Sequence, residues 1–339
     1  MWKLQSLVWK FMPGDQGVSH TLRIFGLLLV LSLAAFILSR WIRWRWLRRG
    51  AVILASTVLL VWGLLFATRP VWLRIATQPV VPAPEISGLR WEVRAPGLET
   101  ADLELRVGMD VVDRMALVRL DPHHYHFSVH WDQTATRTAE DWQRELGAAV
   151  VVSGTYFGQD HAPLTPLRLS GKPVGPAAYQ SIHGAFVADG DRVDILDLKN
   201  QDVFQAINKY PEAMVSYPLL LDAGGQNRAV ESKVWLASRN FAALDEQGRV
   251  VLGTTETGFF TLHRLGDFLK ASPLGLQVVL NFDGGPLVSQ VVKAGDFTRG
   301  FHGKAEMSDG SDVLRAFWHA HCEPPWTLPV VLVATPVAR

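Results

Sequence analysis

Apolar side chains fall into two regimes along this chain, and the boundary between them lies near residue 70. Residues 24–39 (IFGLLLVLSLAAFILS) and 51–68 (AVILASTVLLVWGLLFAT) carry no charge and are apolar on every face. A helix of a globular core shows a one-sided stripe instead. The second run is long enough for the ~20 residues a bilayer core demands, and the first is near that limit. Together they predict a transmembrane helical hairpin over residues 24–68, preceded by a tail, 1–23. The connector holds Arg40, Arg43, Arg45, Arg48 and Arg49, interleaved with Trp41, Trp44 and Trp46. Positive charge stays in the cytoplasm and tryptophan sits at the interface. Whether one run spans or both do, the chain beyond Thr68 then emerges on the non-cytoplasmic side, periplasmic or extracellular. Residues 69–84, with QPVVPAP, read as a proline-stiffened linker.

From residue 85 to 339 the pattern shifts to short alternations separated by turns. Residues 124–131 alternate Tyr125, Phe127, Val129 and Trp131 with His124, His126, Ser128 and His130, a half-buried strand. Thr138 and Asp141 stand at capping-box spacing ahead of Trp142 and Leu146, and Gly147 follows, which predicts a helix over 138–146. A second helix is expected at 261–270, where Leu262, Leu265, Phe268 and Leu269 share a face. Strands are expected at 115–120, 148–152, 185–188, 192–196, 232–237, 249–252 and 276–282. The fold class is α+β: a mixed β-sheet domain with flanking helices, preceded by the membrane hairpin.

Charge narrows the partners. The chain has 33 Lys and Arg against 32 Asp and Glu, a net charge of +1, so no global field attracts nucleic acid. Its single cysteine, Cys322, excludes an intrachain disulfide framework and a multi-cysteine zinc site. His123, His124, His126 and His130 lack a carboxylate or cysteine at ligand spacing, and His319 and His321 beside Cys322 are treated alike, so no metal is expected and no cofactor is implied. The expected partners are a glycan or sugar-phosphate substrate and the lipid bilayer.

Two apolar strands run into glycine-containing turns, at AAVVVSGTYF (148–157) and LQVVLNFDGG (276–285). Glycine there permits a sharp turn and close approach by a ligand. An aspartate at such a strand end is desolvated on one side and open on the other, as a catalytic carboxylate needs. It can equally bond its own turn amides.

The order of SGTYF, VSYPLLLDAGG (215–225), SRNFAALDEQGRVVLG (238–253), the helix TLHRLGDFL, VVLNFDGG and the closing LPVVLVATP resembles the phosphodiester glycosidase family over residues 115–336. The resemblance implies Gly154, Tyr156 and Phe157 in a first site loop, Ser216 and Pro218 in a middle segment, Arg239 in an arginine motif, and Asn281, Asp283, Gly284 and Gly285 in the last. Ser153 stands where the family usually has asparagine, Asn240 and Ala243 where it has threonine and glycine, and Leu287 where it has serine. The implied reaction cleaves the bond between an anomeric carbon and a phosphodiester. Ordinary glycoside hydrolysis needs two carboxylates because an alkoxide must be protonated as it leaves. A phosphate leaves as a stable anion, so a cation can take the acid's place. The catalytic expectation is Arg239 gripping the phosphate through its bidentate fork and Asp283 stabilising the sugar centre or orienting water. Substrate contacts are expected from Ser153, Gly154, Tyr156, Ser216, Asn281, Gly284 and Gly285. Asp222 and Asp245 are weaker candidates for a second carboxylate. A hydrolase of sugar-1-phosphodiester linkages in envelope or exopolysaccharide glycans is the leading reading. A non-catalytic glycan-binding or assembly module, or a structural partner of an export complex, stands beside it.

Overall fold

The computed structural model describes residues 49–50, 52–53, 56–57, 59–60, 70–179, 183–231, 235–307 and 326–337. The first apolar run lies outside the described residues, as does the second apart from a few positions. No helix among the described residues is long and apolar enough to cross a membrane.

The domain is built around an eight-stranded sheet. Its order is Glu85–Ser87, Leu98–Val107, Asp110–Leu120, Val250–Thr255, Asn240–Asp245, Leu276–Asn281 and Leu219–Leu221, with Glu92–Ala95 on the side of Leu98–Val107. A five-stranded sheet runs Phe297–His302, Ser289–Ala294, Val150–Ser153, Val330–Pro336, Tyr125–Trp131, and a second runs Arg192–Asp197, Gly184–Asp189, Glu212–Ser216, Leu167–Leu169, Lys172–Val174. The sheets are not mixed: the strand pairings of the described residues are antiparallel throughout.

Period-two alternation decides which residue enters which layer. In the central sheet Leu117, Phe241, Ala243, Val251 and Val279 face one core, while Val118, Ala242, Leu252 and Leu280 face another shared with Phe127, Val150, Phe186 and Leu332. Both faces are covered, so the strands read as unbroken apolar runs although they pair antiparallel. Strand Val150–Ser153 repeats this, with Val150 and Val152 inward and Val151 against Trp142 of the outer helix.

That helix, Ala139–Leu146, starts at Thr138 with a complete capping box to Asp141 and ends at Gly147 with φ 59°. Helix Leu262–Ala271 is capped by Thr261. Both follow their sequence signals within a residue or two. Strands Leu98–Val107 and Ser289–His302, the latter a hairpin of two, lie where no strand was expected from the sequence. The expected strand 232–237 is seen at Leu236–Ala237, its residues 232–234 being outside the described set.

Part of the expected linker is structured, while residues 78–84 carry neither helix nor strand. Residues 71–76 form a helix whose Leu73, Ile75 and Ala76 are buried in the same core as Leu117 and Phe241. Arg264 Nη1 donates to Ala76 O at 3.0 Å. The single turn VWLRIA is too short for a periodicity signal, and its apolar positions find the open face of the central sheet.

Candidate active site

Strands Val150–Ser153 and Leu276–Asn281 belong to different sheets, and their ends meet: Asp283 N–H donates to Gly154 O at 2.9 Å. Gly154 must be glycine here, because a Cβ would lie 2.7 Å from Val330 Cγ1 and 3.1 Å from the Val330 carbonyl carbon. It is buried and takes part in joining strands, not in lining an opening as expected.

Ser153 is likewise displaced from its expected substrate role. It is buried, and its hydroxyl accepts from Ser289 N–H at 3.0 Å and from Asn240 Nδ2 at 3.3 Å. Asn240 Nδ2 also donates to Ser153 O at 2.6 Å. Two of the departures noted in the sequence are thus a bonded pair: the amide that the resemblance places at 153 is supplied from 240, on a facing strand. Ser216 is fully buried, with a hydroxyl that has no partner among the described residues, so it does not reach the site surface.

The remaining candidates converge. Asn281 Nδ2 donates to Tyr156 Oη at 2.7 Å and to Tyr217 O at 2.9 Å, and Tyr156 Oη donates to Tyr217 O at 3.1 Å. Asn281 Oδ1 is buried without a partner among the described residues. Tyr217, not singled out from the sequence, precedes Pro218 through a cis peptide bond and stacks on Tyr156 at 4.3 Å between centroids. His183 stacks on the other face of Tyr217 at 4.3 Å, and burial lowers its pKa, so its ring is neutral at pH 7.

Arg239 is only 4% exposed, yet it stays protonated: burial pulls its pKa down to about 10, while Tyr156, Glu306 and Asp283 oppose the fall. Its Nε donates to Phe260 O at 3.1 Å and its Nη2 to Trp235 O at 2.7 Å. The edge expected to fork onto a phosphate is therefore engaged by two carbonyls, which fix the plane of the guanidinium. Nη1 is the end turned toward the turn, 3.5 Å from where a Cβ of Gly284 would sit. Phe157 lies half-buried at an isolated bridge to Pro163.

Asp283 has its carboxyl pushed up to about 7, first by loss of water and then by the charge of Glu306, against the Gly284 N–H bond to Oδ1 at 2.9 Å and the charge of Arg239. The carboxylate whose charge reaches Asp283 and Arg239 is Glu306, and neither Asp222 nor Asp245 is among the charges acting on them. Those two accept from the amides of their own turns, Asp222 from Gly224 and Gln226, Asp245 from Gln247 and Arg249. Glu306 Oε1 accepts from Trp235 Nε1 at 3.2 Å, and Oε2 lies 2.9 Å from where a Cβ of Gly285 would be. Gly285, with φ +79°, is glycine both for its backbone and to admit this carboxylate. Nothing in GKAEMSDG marks Glu306; the pairing of Leu236–Ala237 with Glu306–Met307 delivers it.

The site therefore holds a buried cation, a carboxyl balanced between its two protonation states, a second carboxylate and an amide–phenol cluster. Residues 146–313 match the family model described as phosphodiester glycosidase. Over those residues the chain matches a phosphodiester glycosidase domain. Its fold is shared with the catalytic domain of the zebrafish N-acetylglucosamine-1-phosphodiester alpha-N-acetylglucosaminidase, auto-inhibited in that structure by its pro-peptide; the match covers 80% of this chain and 92% of that one at 14% identity, with a TM-score of 0.53. A hypothetical protein from Synechocystis matches over 75% of this chain and 64% of its own at 12% identity and a TM-score of 0.46. No curated protein sequence matches significantly.

Proposed function

We propose that this domain hydrolyses sugar-1-phosphodiester linkages, with Arg239, Asp283 and Glu306 as its charged machinery. The observation that carries the reading is the juxtaposition of a buried guanidinium with Asp283, whose carboxyl has been raised to the pH at which it can accept or release a proton. Ionised Asp283 takes a proton from water as the water oxygen bonds to the anomeric carbon. The bond from that carbon to the phosphate oxygen breaks, and its electron pair leaves with the phosphomonoester. No acid is needed for that anion; Nη1 of Arg239 meets the charge that develops on it. Glu306 holds the oxocarbenium-like centre, and Tyr156 and Asn281 position the sugar. A second carboxylate fits this chemistry because positive charge grows on the sugar ring in the transition state.

The apolar runs and the arginine-rich connector support a membrane-anchored protein with this domain on the non-cytoplasmic side, acting on envelope or exopolysaccharide glycans. Purified chain supplied with sugar-1-phosphodiesters and with neutral glycosides of the same sugars should release phosphomonoester from the former only. Binding without turnover on every diester would favour the glycan-binding module. A periplasm-dependent reporter fused after Arg339 should be active, and a cytoplasmic reporter active in its place would reverse the topology.

A further inference from the structure

We infer that the substrate of this site is itself lodged in the membrane: a glycosyl phosphodiester whose phosphate is esterified to a lipid. The inference rests on the proposed hydrolase and anchor, and adds where the site faces. Thr68 closes the second apolar run, and only Arg69 and Pro70 separate it from helix Val71–Ala76. Three residue steps reach at most about 10 Å. Leu73, Ile75 and Ala76 bind that helix into the core, so the domain cannot swing away on a long tether.

Trp72, in the first turn of this helix, packs against two segments that lead into the site. The Trp72 ring lies 3.1 Å from where a Cβ of Gly258 would sit, and Ala305 Cβ lies 3.2 Å from the same point. Gly258 is two residues from Phe260, whose carbonyl holds Arg239 Nε, and Ala305 directly precedes Glu306. One aromatic ring, four positions after Thr68 in sequence, thus packs beside the backbone that leads to the charged groups. Val71, next to Trp72, is 36% exposed, and Trp235, which bonds the site residues, is 52% exposed. Trp235 carries both the carbonyl that fixes Arg239 and the indole N–H that holds Glu306. An amphipathic ring at the rim suits a mouth that meets headgroups on one side and charge on the other. Water attacks the sugar carbon as above; the products are the free sugar and a lipid phosphomonoester that stays in the bilayer.

The test uses the full chain in vesicles of phosphatidylcholine and phosphatidylglycerol, with a panel of hexose and N-acetylhexosamine 1-phosphodiesters, each as a methyl and as an octadecyl ester. The octadecyl ester in the same vesicle should be cleaved at least about tenfold faster than the methyl ester at equal total amount, since confinement to one surface raises the effective concentration. Inserting a thirty-residue Gly/Ser segment between Arg69 and Pro70 should remove most of that advantage and leave methyl ester turnover unchanged. Equal rates on the two esters, or an advantage that survives the insertion, would overturn the membrane-facing assignment while the hydrolase reading stands. Inertness on every ester would overturn both.

Discussion

Asp113 and Asp283 are both buried aspartates with carboxyl groups pushed up, to about 8 and about 7, and loss of water is the chief cause in each. Their surroundings differ in kind. Asp113 Oδ1 accepts the backbone N–H groups of Arg114, Glu256 and Thr257, and Oδ2 has no partner among the described residues. No ionised neighbour contributes to its shift. Asp283 accepts one backbone N–H, and the charges of Glu306 and Arg239 pull it in opposite directions. Burial alone makes a knot that ties a turn to an interior strand of the central sheet. Burial among opposed charges makes a group whose proton affinity an arriving anion or cation can change, and that is the property of a site.

The comparison breaks if the two aspartates behave alike on substitution. Asp283→Asn is expected to lower kcat by about 10²–10⁴-fold with KM nearly unchanged, as for loss of an acid–base group. Asp113→Asn should leave kcat within about twofold, because no reacting atom meets it. With ionised Asp283 as base, kcat/KM should fall with pH below about 7, and this limb should vanish in the asparagine variant. Equal losses in the two variants, tracking melting temperature, would make both carboxyls structural.

Arg239→Lys sharpens the charge half of the comparison. An ammonium offers its donors from one atom and lacks the planar spread by which Nε and Nη2 hold the Phe260 and Trp235 carbonyls while Nη1 faces Gly284. A fall of about 10²-fold in kcat on phosphodiesters is expected, comparable to losing an oxyanion donor. An unaffected rate would show that the anion is held elsewhere.

A fragment beginning at Pro70 should unfold cooperatively, and one beginning at Glu85 should be less stable by about 3–6 kcal/mol. That figure corresponds to exposing the sites of Leu73 and Ile75, at ~1.5–3 kcal/mol for each buried aliphatic side chain. Identical denaturation midpoints would return the segment to the status of a linker.

The smallest effect belongs to Asp113 itself. Its folded pKa, about 8, lies above its unfolded value of 3.8, so ionisation costs nothing below the lower value, an increasing amount between the two, and a constant amount above about 8. Asp113→Asn should therefore raise the melting temperature by several degrees at pH 9 and not at pH 4. A gain at both values would point to packing in place of charge.

Much of the site could be read from the chain because strand-end glycine turns are local signals. Asn281, Asp283 and the Tyr156 loop are announced by the apolar runs before them, and the helix caps by three-residue spacings. Glu306 and Trp235 were silent because a two-strand pairing between distant segments brings them in, and no local pattern encodes it. Tyr217 and His183 join through ring stacking across segments, which leaves no periodicity. Arg239 was found, but not the carbonyls that use its Nε edge, since nothing in a sequence tells which donors of a buried guanidinium the backbone will claim. Ser153 and Asn240 show the converse: each is a mismatch at its own position, and only their contact reveals an exchange of amide and hydroxyl.

Strand Val330–Pro336, the last strand among the described residues, is not an edge. It runs between Tyr125–Trp131 and Val150–Ser153 and pairs with both along most of its length. Without this strand the sheet would have a central gap, and the turn at Gly154 would lack the Val330 carbonyl that its amide binds. Deleting Val330–Pro336 would remove a keystone that two strands share instead of trimming an edge.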